Sequence, residues 1–594
     1  MLLALLTASP ALAADEDPVS MTVGITQDVD SLNPFTGIVA EAYEIWGLMY
    51  DTLTGYAQED FAPVPALAES WETSEDGLTW TYTLNDGATF SDGEPLTADD
   101  VVYTFQRIID GSYEQTNWGN YVTLITDVEA TDERTVVMTT SEPSPIMLAM
   151  PIPILPQHVW EAIDGTAVAD YSNEPDEEGG AVGSGPFRLI EHSANQFLRL
   201  EANPDYWNGA PNIDELTFRI FTNQDSMAQA LRRGEIDVAD SLEANVFESL
   251  QDVEGITTVA AAYSGFDELS FNVGAALDDG TPIGDGHPAL RDLEVRRAIA
   301  HAVDTQALVD RALGGYGTPG TTIIPSLYSR LHLEPENPYV FDLDEANSIL
   351  DEAGYQRGAD GVREMPDGSQ RLSFRLVARQ ESPSSQTSVQ FISGWLADIG
   401  IETDVQVISE DTLTEVIGNG EFDMFEWGWV VEPDPDYQLS TFTCASRSYV
   451  EEGVTYANLS DSFYCNPEYD ELYAQQARQI DLDERADTVR EMQQMLYDDV
   501  PYVVTYYYDN LEAYRSDRFT NFAPQPDPDG SLLFQWGTYS YRSVEALPAG
   551  GGGGGASGGS GTTVTIGVLA GVVVVALGGF LFLRSRRKPA DEVE

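Results

Sequence analysis

The sequence contains a single lysine, Lys588, and the other 27 of its 28 basic residues are arginines. Walker-type phosphate loops and Schiff-base enzymes both need a lysine at the reacting site. Because Lys588 lies close to the C-terminus, behind a long apolar segment, the rest of the chain has no lysine for either chemistry. Both classes of enzyme are therefore excluded for the main body of the protein.

Histidine and cysteine are also scarce. No two of the five histidines have the spacing of metal ligands: His158, His192, His287, His301 and His332. A dedicated zinc site is therefore unsupported, and we expect no metal and no cofactor. The two cysteines, Cys444 and Cys465, suit one disulfide that closes a surface loop in an exported protein. The alternative for this pair is two free, buried thiols.

The chain is also poor in positive charge. Its 28 basic residues stand against 100 acidic ones, which leaves a net charge of −72. Nucleic acids and anionic lipids carry phosphates, which such a surface repels, so neither is expected as a partner of the main body. Two readings of the acidity remain open. The surface is either adapted to high salt or simply solvated and self-repelling.

The two ends of the chain predict where the protein resides. Residues 1–13 are apolar and end in the small-x-small pattern of a cleavable export signal, although a basic start is missing. Residues 549–561 are almost entirely Gly and Ser, a flexible tether. Residues 562–583 contain no charge and are long enough to cross a bilayer as a helix, and a basic tail, 584–594, follows. Positive residues remain in the cytoplasm, so we expect a single-pass membrane protein with an extracellular main body and a cytoplasmic C-terminus.

What is present in abundance is a pattern of strands and turns, clearest in residues 68–105. Leu78, Trp80, Tyr82 and Leu84 alternate with threonines, as in a half-buried strand. Asn-Asp-Gly and Asp-Gly turns follow. Thr97 then precedes an apolar helical pattern, with an Asp three residues later in the position of a capping box. The stretch predicts the order strand, turn, short strand, turn, helix.

Several motifs in the chain resemble one known family, the extracellular solute-binding proteins of family 5, which serve ABC importers of peptides and nickel. The first motifs are A-E-S-W, D-G-L-T-W-T-Y-T-L and F-S-D-G-x-P-L-T-A-D-D-V-V-Y-T-F, all within residues 68–105. Further matches are G-S-G-P-F-R-L, L-E-A-N-P-D-Y-W-N-G-A-P-N-I-D-E-L-T-F, G-E-I-D-V and V-R-x-A-I. Together they span most of residues 20–545.

The resemblance implies an α/β clamshell of two lobes, of the periplasmic-binding-protein type (class II, cluster C), with an extra subdomain in lobe I. To this the sequence adds the C-terminal transmembrane helix, which departs from the commonest form of the family. The expected division is as follows: lobe I from 14–53, 183–270 and 510–548; the extra subdomain 54–182; lobe II 271–509.

Periodicity in the second half of the chain agrees with an α/β lobe. Residues 371–379 and 401–407 read as strands, and 389–399 as the helix between them, which makes a βαβ unit. We also expect one helix over residues 290–313 and another over 469–496. Earlier in the chain, residues 224–233 predict an amphipathic helix ended by Gly234, and residues 269–273 predict a strand.

The most informative candidate for a ligand site is the run F-E-W-G-W-V-V-E-P-D-P-D, residues 425–436. In peptide-binding members of the family, an Asp three residues after the matching Trp pairs with the ammonium group of the ligand. That position is Glu432 here, and because one residue is missing before the family's Asp-Pro, Asp434 is its rival. Alternatively, both acids belong to a solvated loop.

Arg379 is the candidate for a ligand carboxylate, because dipeptide-binding relatives resemble this chain in having an arginine at the end of the matching strand. The planar guanidinium suits a bidentate contact with a carboxylate. A structural salt bridge to one of the many acids is the alternative. Four aromatic residues are candidates for stacking walls, although such residues more often belong to cores: Trp46, Trp427, Trp429 and Tyr506.

The resemblance implies a monomeric binding protein and not an enzyme. It captures a peptide between the lobes and presents it to the permease of an ABC importer. A non-peptide solute such as a sugar, an opine or a nickel chelate is the alternative within the family. A surface glycoside hydrolase is the rival from another class, since 100 acidic residues always contain some carboxylate pair. The G-x-S-x-G match at residues 555–559 lies in the tether and lacks the strand and helix of a nucleophile elbow.

Overall fold

Two long antiparallel strands, Thr257–Phe271 and Tyr502–Tyr514, lie near the middle of the largest sheet. The computed structural model describes residues 18–163, 165–177, 179–276, 281–451 and 454–548. The predicted export signal, tether, transmembrane helix and cytoplasmic tail lie outside these residues. Within them, no helix combines the length and apolar character needed to span a membrane.

The strands of the described residues are, in chain order, β1 Ser20–Ile25, β2 Thr54–Tyr56, β3 Pro63–Pro65, β4 Ala68–Thr73, β5 Thr79–Leu84, β6 Ile125–Asp132, β7 Thr135–Thr140, β8 Phe187–Ser193, β9 Phe197–Ala202, β10 Glu215–Ile220, β11 Val238–Ala239, β12 Thr257–Phe271, β13 Gly317–Pro319, β14 Ser373–Arg379, β15 Glu402–Ile408, β16 Met424–Val430, β17 Tyr449–Glu451, β18 Val454–Tyr456, β19 Tyr502–Tyr514, β20 Phe519–Thr520 and β21 Glu545–Ala546.

The α-helices are α1 Ala40–Met49, α2 Ala98–Asp110, α3 Gln115–Val122, α4 Gln157–Trp160, α5 Ala167–Asp170, α6 Gln224–Arg233, α7 Ala244–Leu250, α8 Leu293–Ala302, α9 Thr305–Ala312, α10 Leu343–Glu352, α11 Pro383–Asp398, α12 Glu410–Gly418, α13 Asp436–Ser440, α14 Pro467–Gln476, α15 Leu482–Asp499 and α16 Tyr539–Ser543. Short 3-10 helices cover Pro145–Leu148, Pro288–Arg291 and Cys444–Ser446.

The largest sheet has the strand order β15-β14-β16-β12-β19-β11-β1-β10-β9-β8, with β13 also paired to β19. The strands β14 and β15 are parallel and are connected by α11, which is the predicted βαβ unit. A separate antiparallel sheet, β4-β5-β7-β6, contains the strand with alternating threonines. In β5, Trp80, Tyr82 and Leu84 are buried and the threonines are part-exposed, as the alternation predicts.

Two large hydrophobic cores lie at opposite ends of the β12–β19 pair. The buried residues of the first core lie in 21–238 and 519–544, and Val259 and Tyr514 pack against this core. The second draws them from 269–506 and includes Leu269 and Tyr506. We call the parts around these cores lobe I and lobe II. The β12–β19 register shifts between Ala262 and Glu268, so the ladder is interrupted between the two cores.

Helix ends follow capping residues that are visible in the sequence. In α2, the backbone N–H of Thr97 donates to Asp100 at 2.9 Å, as the capping box predicts. In α6, the Asn223 side chain accepts from the Ser226 N–H at 2.9 Å, and Gly234 ends the helix with a φ of 69°. Glycine adopts this left-handed conformation at little cost, so the predicted helix 224–233 has the bounds that the structure has.

Two predicted helices are each divided in the structure. Residues 290–313 form a 3-10 turn, α8 and α9, because Val303 is extended and Asp304 caps a new helix by accepting from the Ala307 N–H at 2.9 Å. Residues 469–496 fall in α14 and α15, and Asp481 caps the second of these. An aspartate inside a helical period can begin a helix as well as continue one, so these two predictions of single helices were wrong.

Cys444 and Cys465 are joined by a disulfide in the structure. The loop that they close contains the β17–β18 hairpin, where the rings of Tyr449 and Tyr456 stack 5.1 Å apart. In the described part of the chain, no group of three or more His, Cys, Asp or Glu side chains is arranged to hold a metal ion.

Candidate functional site

A cavity of 690 Å³ lies between lobe I and lobe II. Lobe I contributes α1, α3, the 3-10 helix Pro145–Leu148 and Trp536, and lobe II contributes the segment after β16, α13, α14 and α15. The cavity wall is aromatic on both sides and acidic on the lobe II side; its principal side chains are Tyr43, Trp118, Tyr121, Glu432, Asp436, Tyr437, Tyr473, Arg485 and Trp536. We call this cavity the cleft.

Glu432 lies in the cleft wall two residues after the end of β16. Tyr121, from α3 on the opposite side, donates its hydroxyl to one carboxylate oxygen at 2.6 Å. The second oxygen accepts no hydrogen bond from any residue that the structure describes. Burial, with smaller contributions from Asp434 and Asp436, raises the pKa of Glu432 to about 7, although the Tyr121 hydrogen bond opposes this. One free oxygen therefore remains available to a positively charged ligand.

Asp434, the rival of Glu432, is already paired within the protein. Arg485 of α15 donates to both of its oxygens, at 2.6 and 2.8 Å. Burial acts to raise the pKa of Asp434, but the charge and hydrogen bonds of Arg485 outweigh it and hold the pKa below its ordinary value. Arg485 therefore neutralises the charge of Asp434, and this pairing occupies the one cation among the described residues of the cleft wall.

Arg379 lies away from the cleft wall, in a buried polar cluster of lobe II. Its guanidinium donates to Asp267 at 3.1 Å and to Glu426 at 3.3 Å, and lies 5.4 Å from the ring of Trp427. Tyr506, only 1% exposed, donates to Asp267 at 2.9 Å. These contacts correspond to the alternative role of Arg379, a structural salt bridge, and they bring three of the predicted site residues together outside the cleft.

The two remaining candidates are also outside the cleft wall. Trp46 is 1% exposed in the core of lobe I, where its indole N–H donates to the carbonyl of Leu32 at 3.2 Å. Trp429 packs against the core around Phe266. Large aromatic residues fill cores more often than ligand sites, and Trp429 follows that tendency, whereas Trp46 also lines a smaller cavity in lobe I.

Glu268 of β12 is fully buried beside Arg379, and both of its carboxyl oxygens have no hydrogen-bond partner among the described residues. Its pKa lies well above the ordinary value, first because of burial and then because of the neighbouring acids Asp461, Asp267 and Glu426. Arg379 lowers the pKa only in part. A single guanidinium cannot balance this many buried carboxylates, so folding favours the protonated form of Glu268.

This protonated carboxyl predicts a pH-dependent gain in stability for Glu268→Gln. A pKa that is raised in the folded state costs stability as the pH rises above the unfolded value near 4.5, because only the unfolded chain then releases the proton. Glutamine does not titrate. The variant should gain free energy of unfolding relative to the wild type progressively as the pH rises above that value.

The measurement is urea unfolding of both proteins between pH 4.5 and 8. Glu415→Gln, on the exposed face of α12, is the matched control and should differ from the wild type by less than about 0.5 kcal/mol at each pH. A loss of stability in Glu268→Gln that is equal at every pH would contradict the protonated state.

Sequence reasoning missed most of the aromatic residues of the cleft. Trp118 and Tyr121 lie three positions apart in a stretch that otherwise reads as polar, and such a one-sided aromatic pair on a short helix was a usable signal. Tyr43 shares a helix with the predicted Trp46. Trp536 lies in a segment without regular secondary structure, and nothing in its local sequence points to the cleft.

Comparison with known proteins identifies similar chains. The family model described as "Bacterial extracellular solute-binding proteins, family 5 Middle" matches residues 62–449. Protein XP55 of Streptomyces lividans is 30% identical over 519 residues, which is 85% of this chain and 86% of that protein. The oligopeptide-binding protein AppA of Bacillus subtilis is 25% identical over 491 residues, 80% of this chain and 84% of AppA.

Solved structures share the fold. The ABC transporter substrate-binding protein CtaP of Listeria monocytogenes superimposes with a TM-score of 0.73 at 24% identity, over 89% of this chain and all of CtaP. The structure of B. subtilis AppA in complex with a nonapeptide gives a TM-score of 0.67 at 22% identity, over 90% of this chain and all of AppA. The two-lobe α/β fold predicted from the sequence is thereby confirmed.

Proposed function

This chain belongs to the bacterial extracellular solute-binding proteins of family 5, and from that premise we propose that it binds a peptide in the cleft and delivers it to the permease of an ABC importer. Its relatives are solute-binding proteins of ABC transporters, and the chain is a binding protein and not an enzyme. The ligand and its mode of capture are the parts that we propose.

One observation carries the peptide proposal: among the described residues, Glu432 offers a free carboxylate oxygen inside an aromatic cavity whose one cation, Arg485, is already paired. A charge-assisted hydrogen bond from the ammonium group of a peptide would occupy that oxygen, and low solvent exposure would limit its screening. The volume of 690 Å³ lies in the range of about 300–1,000 Å³ that is typical of small-molecule sites. The complex of AppA with a nonapeptide supports the same class of ligand.

Capture also requires the lobes to move, and the β12–β19 pair is the proposed hinge. These two strands join the lobes, and their register is interrupted between Ala262 and Glu268. Hinge closure around a ligand is absorbed by a few residues that change their backbone angles, and an interrupted ladder opposes such changes less than a regular one. The predicted lobe boundaries near residues 270 and 510 agree with this location.

We further propose that the protein acts as a monomer held at the cell surface. The support is in the sequence: an export-type segment at residues 1–13, a Gly and Ser tether, and the uncharged residues 562–583 with a basic tail behind them.

A thermal-shift screen tests the function. A library of free-amine peptides, added to the purified extracellular part, should raise Tm by mass action for at least one class of length or composition. Sugars, opines and nickel chelates form the second panel, and a shift confined to that panel would replace the peptide by another solute. Mass spectrometry of the recovered ligand completes the test, because a chemically altered ligand would indicate a hydrolase instead.

A further inference from the structure

A second cavity, of 220 Å³, adjoins the cleft on the lobe I side. Three aromatic residues, Tyr43, Trp118 and Trp536, line both cavities. The ring of Tyr43 lies 5.8 Å from that of Trp118 and 5.5 Å from that of Trp536. These three side chains form the boundary between the cleft and what we call the side cavity.

The wall of the side cavity combines aromatic rings with a carboxyl group. Glu44 of α1 lines it and accepts a hydrogen bond from the hydroxyl of Tyr541. Burial, and then the nearby Asp240 and Glu41, raise the pKa of Glu44 to about 8, while the Tyr541 hydrogen bond lowers it. A cation that entered the cavity would replace the proton on this carboxyl and pair with the ionised group.

One arginine, Arg542, lines the described part of the wall, and its Nε is buried without a hydrogen-bond partner among the described residues. Arg542 lies over the ring of Tyr206 at 5.4 Å and donates to the carbonyl of Asn208 at 2.5 Å. The charge of Arg542 acts to lower the pKa of Asp51, which lies in the same region. Arg542 has no resolved effect on the pKa of Glu44. The charge of Glu44 is therefore not balanced by a basic residue of the described wall.

The junction with the cleft also contains an unused donor. The indole N–H of Trp536 is buried and has no hydrogen-bond partner within the described residues. A backbone carbonyl of a peptide that passes from the cleft toward the side cavity would satisfy it. Buried polar atoms in native proteins are nearly always paired, so an unpaired donor at this position points to a ligand.

We propose that the side cavity is a subsite for one cationic side chain of the bound peptide, an arginine or a lysine. This inference rests on the proposed function and specifies its ligand further. A volume of 220 Å³ is below the range for a whole small-molecule ligand and suits a single side chain. Aromatic faces attract ammonium and guanidinium groups, and Glu44 supplies the opposite charge. An apolar side chain would use the rings but leave Glu44 without an opposite charge.

Calorimetry with tripeptides is the first experiment. Alanine tripeptides with arginine, lysine or norleucine at each position in turn are titrated into the wild type, Glu44→Gln and Glu41→Gln. At one position the cationic peptides should bind at least about tenfold more tightly than the norleucine peptide. Glu44→Gln should abolish that preference. Glu41→Gln, on the same helix but outside the cavity wall, should retain it.

The second experiment does not depend on peptide binding. n-Butylguanidinium and its neutral isostere n-butylurea are compared by ligand-observed NMR in about 0.5 M salt, which screens the acidic surface. Stronger binding of the guanidinium to the wild type but not to Glu44→Gln supports the subsite. If Glu44→Gln does not fold, Glu44→Asp replaces it in both arms and should reduce the preference severalfold.

The outcomes separate the two proposals. If no peptide binds but the guanidinium preference depends on Glu44, the proposed function fails and the cationic site stands. If peptides bind and the cationic preference is absent, or persists in Glu44→Gln, the subsite is overturned and the function stands.

Discussion

Glu432→Gln should weaken the binding of a free-amine peptide about a hundredfold and leave its N-acetylated counterpart within about threefold. A hundredfold corresponds to about 2.7 kcal/mol, which is at the low end of the cost of removing one partner from a buried, hydrogen-bonded charge pair. Glutamine retains the size of the side chain and can still accept from Tyr121. Only the charge is lost.

The same variant should change the pH profile of binding. Glu432 has a raised pKa of about 7 and must ionise to pair with an ammonium group, so wild-type affinity should rise about tenfold per unit as the pH increases toward 7. Above about pH 8 the affinity should fall again, because the α-amino group of the peptide loses its proton. Glu432→Gln should lack the rise on the acid side.

Isothermal titration calorimetry between pH 5.5 and 9 measures both effects. Tyr121→Phe is the matched control: it removes a hydrogen bond that favours the ionised carboxylate, so the acid side of the profile should move to higher pH without being lost. Equal losses for the free and the acetylated peptide in Glu432→Gln would reject contact between Glu432 and an ammonium group.

Arg485→Met should lower the free energy of unfolding by about 3–5 kcal/mol at pH 7. Arg485 is 5% exposed and makes the bidentate contact to Asp434; Gln476, which accepts from its Nε, also donates to Asp436. Without the guanidinium, Asp434 and Asp436 would be two buried carboxylates beside Glu432. The cost arises mainly from the uncompensated charge and less from the lost contact itself.

Urea unfolding with a double variant tests this origin of the cost. Asp434→Asn combined with Arg485→Met should recover most of the lost free energy of unfolding, because the double variant no longer has the unpaired carboxylate of Asp434. In the wild type, the lowered pKa of Asp434 contributes stability above the unfolded value of 3.8, and this is lost at lower pH. The difference between Arg485→Met and the wild type should therefore shrink as the pH falls below 3.8. A loss below about 1 kcal/mol at pH 7 would show that Arg485 is not needed to neutralise Asp434.

The fold was predictable from the sequence wherever a helix or strand shows both a clear hydrophobic period and end-marking residues next to it. Helix 224–233 has the predicted bounds because Asn223 and Gly234 mark its ends. The region 290–313 was predicted as one helix because its apolar spacing continues through the break, and Asp304 acts as a cap only because the chain turns there. The long strand β12 was predicted only in its last part, since residues 257–262 are small and lack a strong alternation.

The site was predictable in part. The motif placed a carboxylate at residue 432, but it could not distinguish Glu432 from Asp434. The distinction depends on Arg485, which is 51 residues from Asp434 in the chain and meets it only after folding. Arg379 illustrates the same limit, because the sequence shows its position at a strand end and not the three carboxylates that surround it.

The sequence by itself determined the family, the order of strands and helices, and the shortage of positive charge, because these depend on local periodicity, motifs and composition. The tertiary structure decided which carboxylates remain unpaired. With 100 acidic and 28 basic residues, most acids have no cation, and only the path of the chain brings Arg485 to Asp434 while leaving Glu432 and Glu44 facing cavities. Pair interactions between charges act over a few ångströms in space, and distances in the folded protein are not a property of any local stretch of sequence.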